Sequence, residues 1–213
     1  QARYQIRGLK HVRDFSRLLV YGIDDEQVRR YVEEISSELN LDVYRVDSPE
    51  EVIRQSDFVV TTTPSRVPYV RAEWLHSGMH ITAMGADGEH KQELYPDVFK
   101  KAGRIVCDSK KQCLSLGELH HALKMKMITE ETDIIEIGEL TGGLRSGRKD
   151  EKEIIVIAQT GCGACSSAKP VLDEIAKEHK IKINWFDFRK ITTEEDWNEF
   201  LGYSSKIKAQ GVS

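Results

Sequence analysis

The sequence predicts an α/β protein in which a parallel sheet carries helices on both faces, followed by a second, smaller βαβα unit. Three observations carry that expectation. Short apolar runs alternate with segments whose apolar residues recur at helical spacing, the pattern of βαβ units. A Gly-rich turn, Met84-Gly85-Ala86-Asp87-Gly88, leaves the run His80 to Met84 with a lone carboxylate among small residues. Beyond Gly138 to Asp150, a stretch rich in Gly, Ser, Arg and Lys that reads as a turn or linker, a new apolar run leads into a C-x-x-C pair. The boundaries expected are 1–150 for the first domain and 151–213 for the second.

From Gln1 to about His11, Ala2, Tyr4, Ile6 and Leu9 are interleaved with Arg and Gln, as in an amphipathic helix. Leu18-Leu19-Val20-Tyr21, closed by Gly22, is a buried strand. Asp24-Asp25 then caps a helix in which Val28, Tyr31, Val32 and Ile35 share a face. Asp42 to Val46 alternates as a strand does, and Ser48-Pro49-Glu50-Glu51 opens a helix with Pro in its first turn. The strand Asp57 to Thr63 is halted by Pro64. A short helix is expected from Arg71 to His76, broken by Gly78 before the central strand, and Arg104 to Cys107 forms one more strand. A dinucleotide-binding fold runs strand, Gly-rich turn, helix. Here the helix comes first, so the sheet is expected to lack that strand and its glycines. Asp24, the first carboxylate after Gly22, is then the candidate for ribose contact.

The chain has 213 residues, 39% hydrophobic and 31% charged, with a net charge of −4. That is enough apolar material for one large core or two small ones. No run approaches the ~20 apolar residues that cross a bilayer, and the first residues lack a secretory leader pattern. Dispersed Arg and Lys with net negative charge exclude a general nucleic-acid or membrane-surface binder. Cys107 and Cys113 stand singly while Cys162 and Cys165 are paired, usage that suits a reducing, cytoplasmic compartment.

Loops leaving the carboxyl ends of parallel strands are where such sheets bind ligands. Asp87 is therefore the candidate acid/base residue of a nicotinamide-dependent site, with Lys91 four positions on. The competing assignment is that Asp87 caps the next helix. Glu118, His120 and His121 could suggest a metal, but adjacent histidines point in different directions on a helix, so no metal is expected. Met125, Met127, Cys107 and Cys113 are expected to fill packing space.

Residues 1 to about 157 resemble the NAD(P)-binding domain of the ornithine cyclodeaminase/mu-crystallin family. The matching pieces are Gln1-Ala2-Arg3, Thr61-Thr62-Thr63-Pro64-Ser65, Arg71-Ala72-Glu73-Trp74, Gly85-Ala86-Asp87, Lys91-Gln92-Glu93-Leu94 and Gly138-Glu139-Leu140. Gly88-Glu89-His90-Lys91 and the stretch Gln112 to His121 are closer to the ectoine-utilisation branch. The resemblance implies an incomplete Rossmann-like domain, NAD or NADP as cofactor, and an amino-acid-like or ectoine-derived substrate. It implies that Asp87 exchanges a proton beside the substrate nitrogen and that Thr62, Thr63, Pro64 and Ser65 lie along the cofactor. Gln1, Ala2, Asp24, Gly85 and Ala86 complete the implied cofactor set, and Lys91 serves the substrate or a helix cap. Complete members are expected to be homo-oligomers. Their N-terminal domain, which supplies dimer contacts and most substrate ligands, has no counterpart here, so this piece is expected to be inactive alone.

The tail supports a second idea. Glu153 to Gln159 is a strong strand, and Thr160-Gly161-Cys162-Gly163-Ala164-Cys165 precedes a helix with Pro170, Leu172, Glu174, Ile175 and Ala176. A thiol at a helix N-terminus is favoured as thiolate, and a second thiol one turn inside can attack a mixed disulfide. From Cys162 to Ala176 the sequence resembles thioredoxin. This implies Cys162 as nucleophile, Cys165 as resolving thiol, a redox-active disulfide and a protein disulfide partner. Thr160-Gly161 replaces the usual aromatic, and Val156 stands where a buried Asp often sits. Half a zinc site is disfavoured because no second pair exists. Glu153 to Gly161 equally fits the cyclodeaminase family's acidic/apolar strand followed by Thr-Gly, so both assignments stay open. A third possibility is a non-catalytic fragment or scaffold.

Overall fold

Every strand pairs in parallel with its neighbours, as apolar runs joined by helical crossovers require. The computed structural model describes residues 1–158, which fall within a unit spanning Gln1–Gly163. The expectations for Cys162, Cys165 and the helix at Pro170 lie outside the described residues. The described residues form two sheets. Strand β1 (Arg17–Val20) pairs with β2 (Asp42–Arg45), and the larger sheet has the order β3 (Phe58–Thr61), β4 (His80–Ala83), β7 (Ile155–Ala158), β5 (Arg104–Cys107), β6 (Ile134–Glu136).

The first part folds as its capping signals dictate. Helix α1 (Ala2–Val12) lays Ile6 against Tyr31 and Ile35 of α2 (Asp25–Leu39), and Arg3 and Arg7 pair with Glu34 and Glu38 across the two helices. Asp24 caps α2, and Ser48 caps α3 (Pro49–Arg54) with Pro49 in the first turn. Where Arg71 to His76 was expected to be helical there is only a 3-10 turn, Ala72–Trp74. Among the described residues β1 and β3 each pair on one side only, and both line the same cleft of about 2260 Å³.

Residues alternate across the large sheet. Ile81, Ala83, Ile105, Cys107, Val156 and Ala158 face a core filled by α4 (Val98–Lys101), α5 (Lys110–Cys113) and α6 (Glu118–Lys124). Val106, Ile135 and Ile155 face Leu140 of α7 (Ile137–Thr141) on the other side. Both lone cysteines, Cys107 and Cys113, are buried packing residues, as expected.

Two differences from the sequence reading concern the chain after Glu136. The run at Glu153, expected to open the second unit, supplies β7, the middle strand of the first domain's sheet. Its residues Ile155, Val156 and Ala158 are buried, the signature of a strand covered on both faces. The supposed linker contains α7, whose start is a capping box made by Glu136 and Glu139 instead of the commoner Ser or Thr. Room for the approach to β7 comes from Gly78, at φ +83°, where a Cβ would lie 2.7 Å from the Glu151 carbonyl oxygen.

The buried Arg104 guanidinium ties β5 to this approach through Nη2, 3.4 Å from Glu153 Oε1, and its Nε has no hydrogen-bond partner among the described residues. Removing one member of a buried pair leaves an uncompensated charge, at a cost of about 3–5 kcal/mol. Glu153→Ala is therefore expected to lower the unfolding free energy by roughly 3 kcal/mol or more in a urea titration, with loss of the whole large sheet in one transition.

Candidate active site

Parallel strands put all their carboxyl ends on one side, so the loops after β3 and β4 emerge together. Gly85 lets them meet. A Cβ there would stand 2.1 Å from the Thr63 carbonyl oxygen and 2.6 Å from the Glu93 carboxylate. The two loops are then zipped further along: Gln92 N–H donates to the Ser65 carbonyl at 2.8 Å, and Tyr69 and Val70 N–H both donate to the Glu93 carbonyl. A parallel bridge between Val70 and Leu94 completes the join.

At the junction lies a carboxylate with no exposure, Glu93. Its oxygens accept from Thr61 Oγ1 at 2.7 Å, Thr63 N–H at 2.5 Å, Thr63 Oγ1 at 2.7 Å, Tyr69 OH at 3.0 Å and Gly85 N–H at 2.9 Å. Burial, and next the Glu93 charge, hold the Tyr69 phenol protonated far above its ordinary range. A second buried carboxyl, Glu118 at the start of α6, accepts the N–H groups of Glu93 at 2.6 Å and Leu94 at 3.2 Å. Burial pushes the Glu118 carboxyl up to about 8, the nearby Glu93 charge adding to the rise and the two N–H donors opposing it.

Asp87 sits on the outer part of the turn, half exposed, and its carboxylate accepts from Lys91 Nζ. Its N–H returns to the Gly85 carbonyl at 3.0 Å. It does not cap a helix: the next one is α4, eleven positions on. His121 Nε2 lies 3.1 Å from the Lys91 carbonyl oxygen and His120 Nδ1 3.2 Å from that of Leu114, so both rings serve backbone carbonyls.

The structure gathers Gln1, Ala2, Asp24, Thr62, Thr63, Pro64 and Ser65 around the cleft between β1 and β3. Gly85, Ala86, Asp87 and Lys91 do not line it; they connect to its wall through Gly85 and Glu93. Asp24, the candidate for ribose contact, is committed to the α2 cap, where Gln27 N–H and Nε2 each donate at 3.0 Å. The backbone donor comes first among the causes that lower its carboxyl from the ordinary range. Sequence reasoning missed Glu93, Glu118 and Tyr69. Glu93 was visible only as part of Lys91-Gln92-Glu93-Leu94, and nothing local marked it as buried.

The profile of the ornithine cyclodeaminase/mu-crystallin family matches residues 1–178. The chain belongs to that family. The match passes through Cys162 and Cys165, so the stretch read as the start of a thioredoxin-like unit falls within it. Among curated relatives, an uncharacterized cyclodeaminase of Sinorhizobium fredii is 37% identical over 168 residues, 79% of this chain and 51% of the relative. Two solved structures from the family's neighbourhood share the Rossmann-like α/β fold. Thermococcus litoralis Δ1-pyrroline-2-carboxylate reductase, in complex with NADH and L-proline, has a TM-score of 0.73 at 29% identity, covering 87% of this chain and 58% of that one. An archaeal alanine dehydrogenase dimer with bound NAD has a TM-score of 0.71 at 34% identity, covering 87% and 57%. This family member thus spans about half the length of the curated relatives it matches.

Glu118 gives the site a pH signature. Its folded-state carboxyl titrates near 8 and an unfolded glutamate near 4.5. The folded chain therefore holds an extra proton between those values, and stability falls as pH rises through that window. The loss expected between pH 5 and 8 is on the order of a few kcal/mol, read from denaturant midpoints across pH. In Glu118→Gln the slope over that window should flatten, although the variant starts less stable because one backbone N–H then lacks its acceptor.

Proposed function

We propose that this chain carries the nicotinamide-binding half of an NAD(P)-dependent enzyme that reduces an imine, or oxidises the corresponding amine, at the α-carbon of a small amino acid. Cyclodeaminase chemistry uses the same hydride exchange with loss of ammonia between its two halves. The observation that carries the reading is the junction just described. It binds the Thr62 to Ser65 segment, on the wall of a large cleft, to the turn that bears Asp87. Support comes from the similar structures that hold NADH with L-proline, and NAD.

The residues present fit such a cofactor. The cleft runs the whole length of β1 and β3, and the part of it lined by Thr62 to Ser65 lies past the carboxyl end of β3, where a dinucleotide lies in this class of sheet. Gly85 packs against Thr63 with no room for a side chain, which brings the Asp87 turn against that segment. Gln1 and Ala2, at the start of α1, and Thr62 to Ser65 would hold the dinucleotide, which when bound supplies or accepts the hydride at the α-carbon. Asp87 gives the proton to the nitrogen as the C=N bond is reduced, and takes one from the amine in the opposite direction. Lys91, ion-paired to Asp87, orients that carboxylate and balances its charge.

Finer features belong to the same proposal. Gly88-Glu89-His90-Lys91 and Gln112 to His121 support an ectoine-derived amino acid as substrate. The alanine dehydrogenase solved as a dimer supports a homo-oligomer. The spacing of Cys162 and Cys165, with Pro170 five positions on, supports a second reading as a thiol–disulfide exchange site with a protein partner. Insulin reduction that disappears in Cys162→Ser would support that reading, and activity unchanged by the substitution would end it.

For the principal reading, in a preparation that also carries the family's N-terminal domain, Asp87→Asn is expected to lower kcat for NADH-dependent reduction of a cyclic imino acid by about 10²–10⁴-fold. NADH affinity, followed by fluorescence, should stay close to that of the unaltered protein. Unchanged turnover would remove Asp87 from the chemistry.

A further inference from the structure

We propose that Glu93 is the positioning residue of this site. Its carboxylate sets the separation between the Thr63 to Ser65 segment and the turn carrying Asp87. This rests on the reading of Asp87 as the acid/base group.

The argument begins with the donors. Oε1 accepts from Thr63 N–H, Thr63 Oγ1 and Tyr69 OH, and Oε2 accepts from Thr61 Oγ1 and Gly85 N–H. Hydroxyls can rotate to accept instead of donate, but backbone amides cannot. One amide points at each oxygen: Thr63 from the loop after β3, Gly85 from the loop after β4. A glutamine here would have one acceptor end and one donor end. Whichever way it turned, its NH2 would face one of the two backbone N–H groups. Only a group that accepts at both ends can join both loops, which is a reason for a carboxylate at a position with no exposure, where burying the charge is costly.

The join is also short and stiff. Gly85 is two residues from Asp87, and the Asp87 N–H closes back on the Gly85 carbonyl. On the other side, Thr63 leads directly into Pro64 and Ser65. Glu93 is itself held, through its own N–H by Glu118 and through its carbonyl by Tyr69 and Val70. A displacement of either loop therefore changes the position of Asp87 relative to the cleft wall. If Glu93 only stabilised the fold, its loss would lower stability without acting through Asp87.

The test has a part that needs no cofactor. Amide hydrogen exchange by NMR should show both Thr63 and Gly85 protected in the unaltered chain. In Glu93→Gln the amide that faces the new NH2 should exchange about 10-fold faster or more, while Val106 in the sheet stays protected. Unchanged exchange at both amides would overturn the coupling. The second part is kinetic. In a preparation that also carries the family's N-terminal domain, Glu93→Gln should lower kcat at least 10-fold with NADH affinity within about 3-fold, and should cause little further loss when added to Asp87→Asn. Wild-type kcat in folded Glu93→Gln, or an equal loss in the Asp87→Asn background, would overturn the proposal. Should Glu93→Gln fail to fold, Thr61→Val removes one hydroxyl donor from Oε2. It should lower kcat by a smaller factor that again vanishes with Asp87→Asn, and unchanged kcat there would count against Glu93. If a preparation that also carries the family's N-terminal domain neither binds NADH nor reduces an imine, the functional reading has failed, and the exchange data still decide whether Glu93 couples the loops.

Discussion

A carboxylate buried between two strand-end loops is the interaction on which the site depends. Burying an ionised group costs several kcal/mol unless its oxygens are fully satisfied. Glu93 meets that condition with five donors drawn from Thr61, Thr63, Tyr69 and Gly85. Because those donors belong to separate segments, satisfying the charge and joining the segments are the same event. Neither loop could move independently without exposing a buried polar group.

The rest of the fold delivers the loops to that point. All-parallel pairing places the ends of β3 and β4 side by side, in register from Phe58 and His80 to Thr61 and Ala83. The other edge of β4 is covered by β7, with Ala83 opposite Ala158, so the central strand is held on both sides. Gly85 then permits a backbone approach that any side chain would block. Behind the junction, Glu118 anchors the Glu93 backbone from α6, and His121 of the same helix meets the carbonyl of Lys91. One short helix thereby supports both the buried carboxylate and the residue paired with Asp87.

Much of this was legible from sequence where the signal is local. The caps at Asp24 and Ser48, the strand at Arg104 to Cys107 and the Gly-rich turn at Gly85 follow from spacing and side-chain chemistry alone. The family's motifs pointed to the loops that carry the site. What was missed is non-local. Ile155 to Ala158 announces a buried strand, but its place between β4 and β5 depends on residues about fifty and about seventy-five positions earlier. Helix α7 starts on glutamates instead of a hydroxyl residue, so the run after Gly138 looked like a linker. Glu93 gains its meaning from Thr61 and Thr63, about thirty residues away. A polar residue in a polar stretch carries no mark of burial.

The central claim is that Asp87 and the Thr62 to Ser65 segment form one nicotinamide site. A crystal structure of the protein with NADH and a cyclic imino acid analogue tests it most directly. The account predicts the dinucleotide along Thr62 to Ser65, with the imine nitrogen of the analogue within hydrogen-bonding reach of the Asp87 carboxylate. A cofactor bound elsewhere, or an Asp87 that faces away from both molecules, would contradict it.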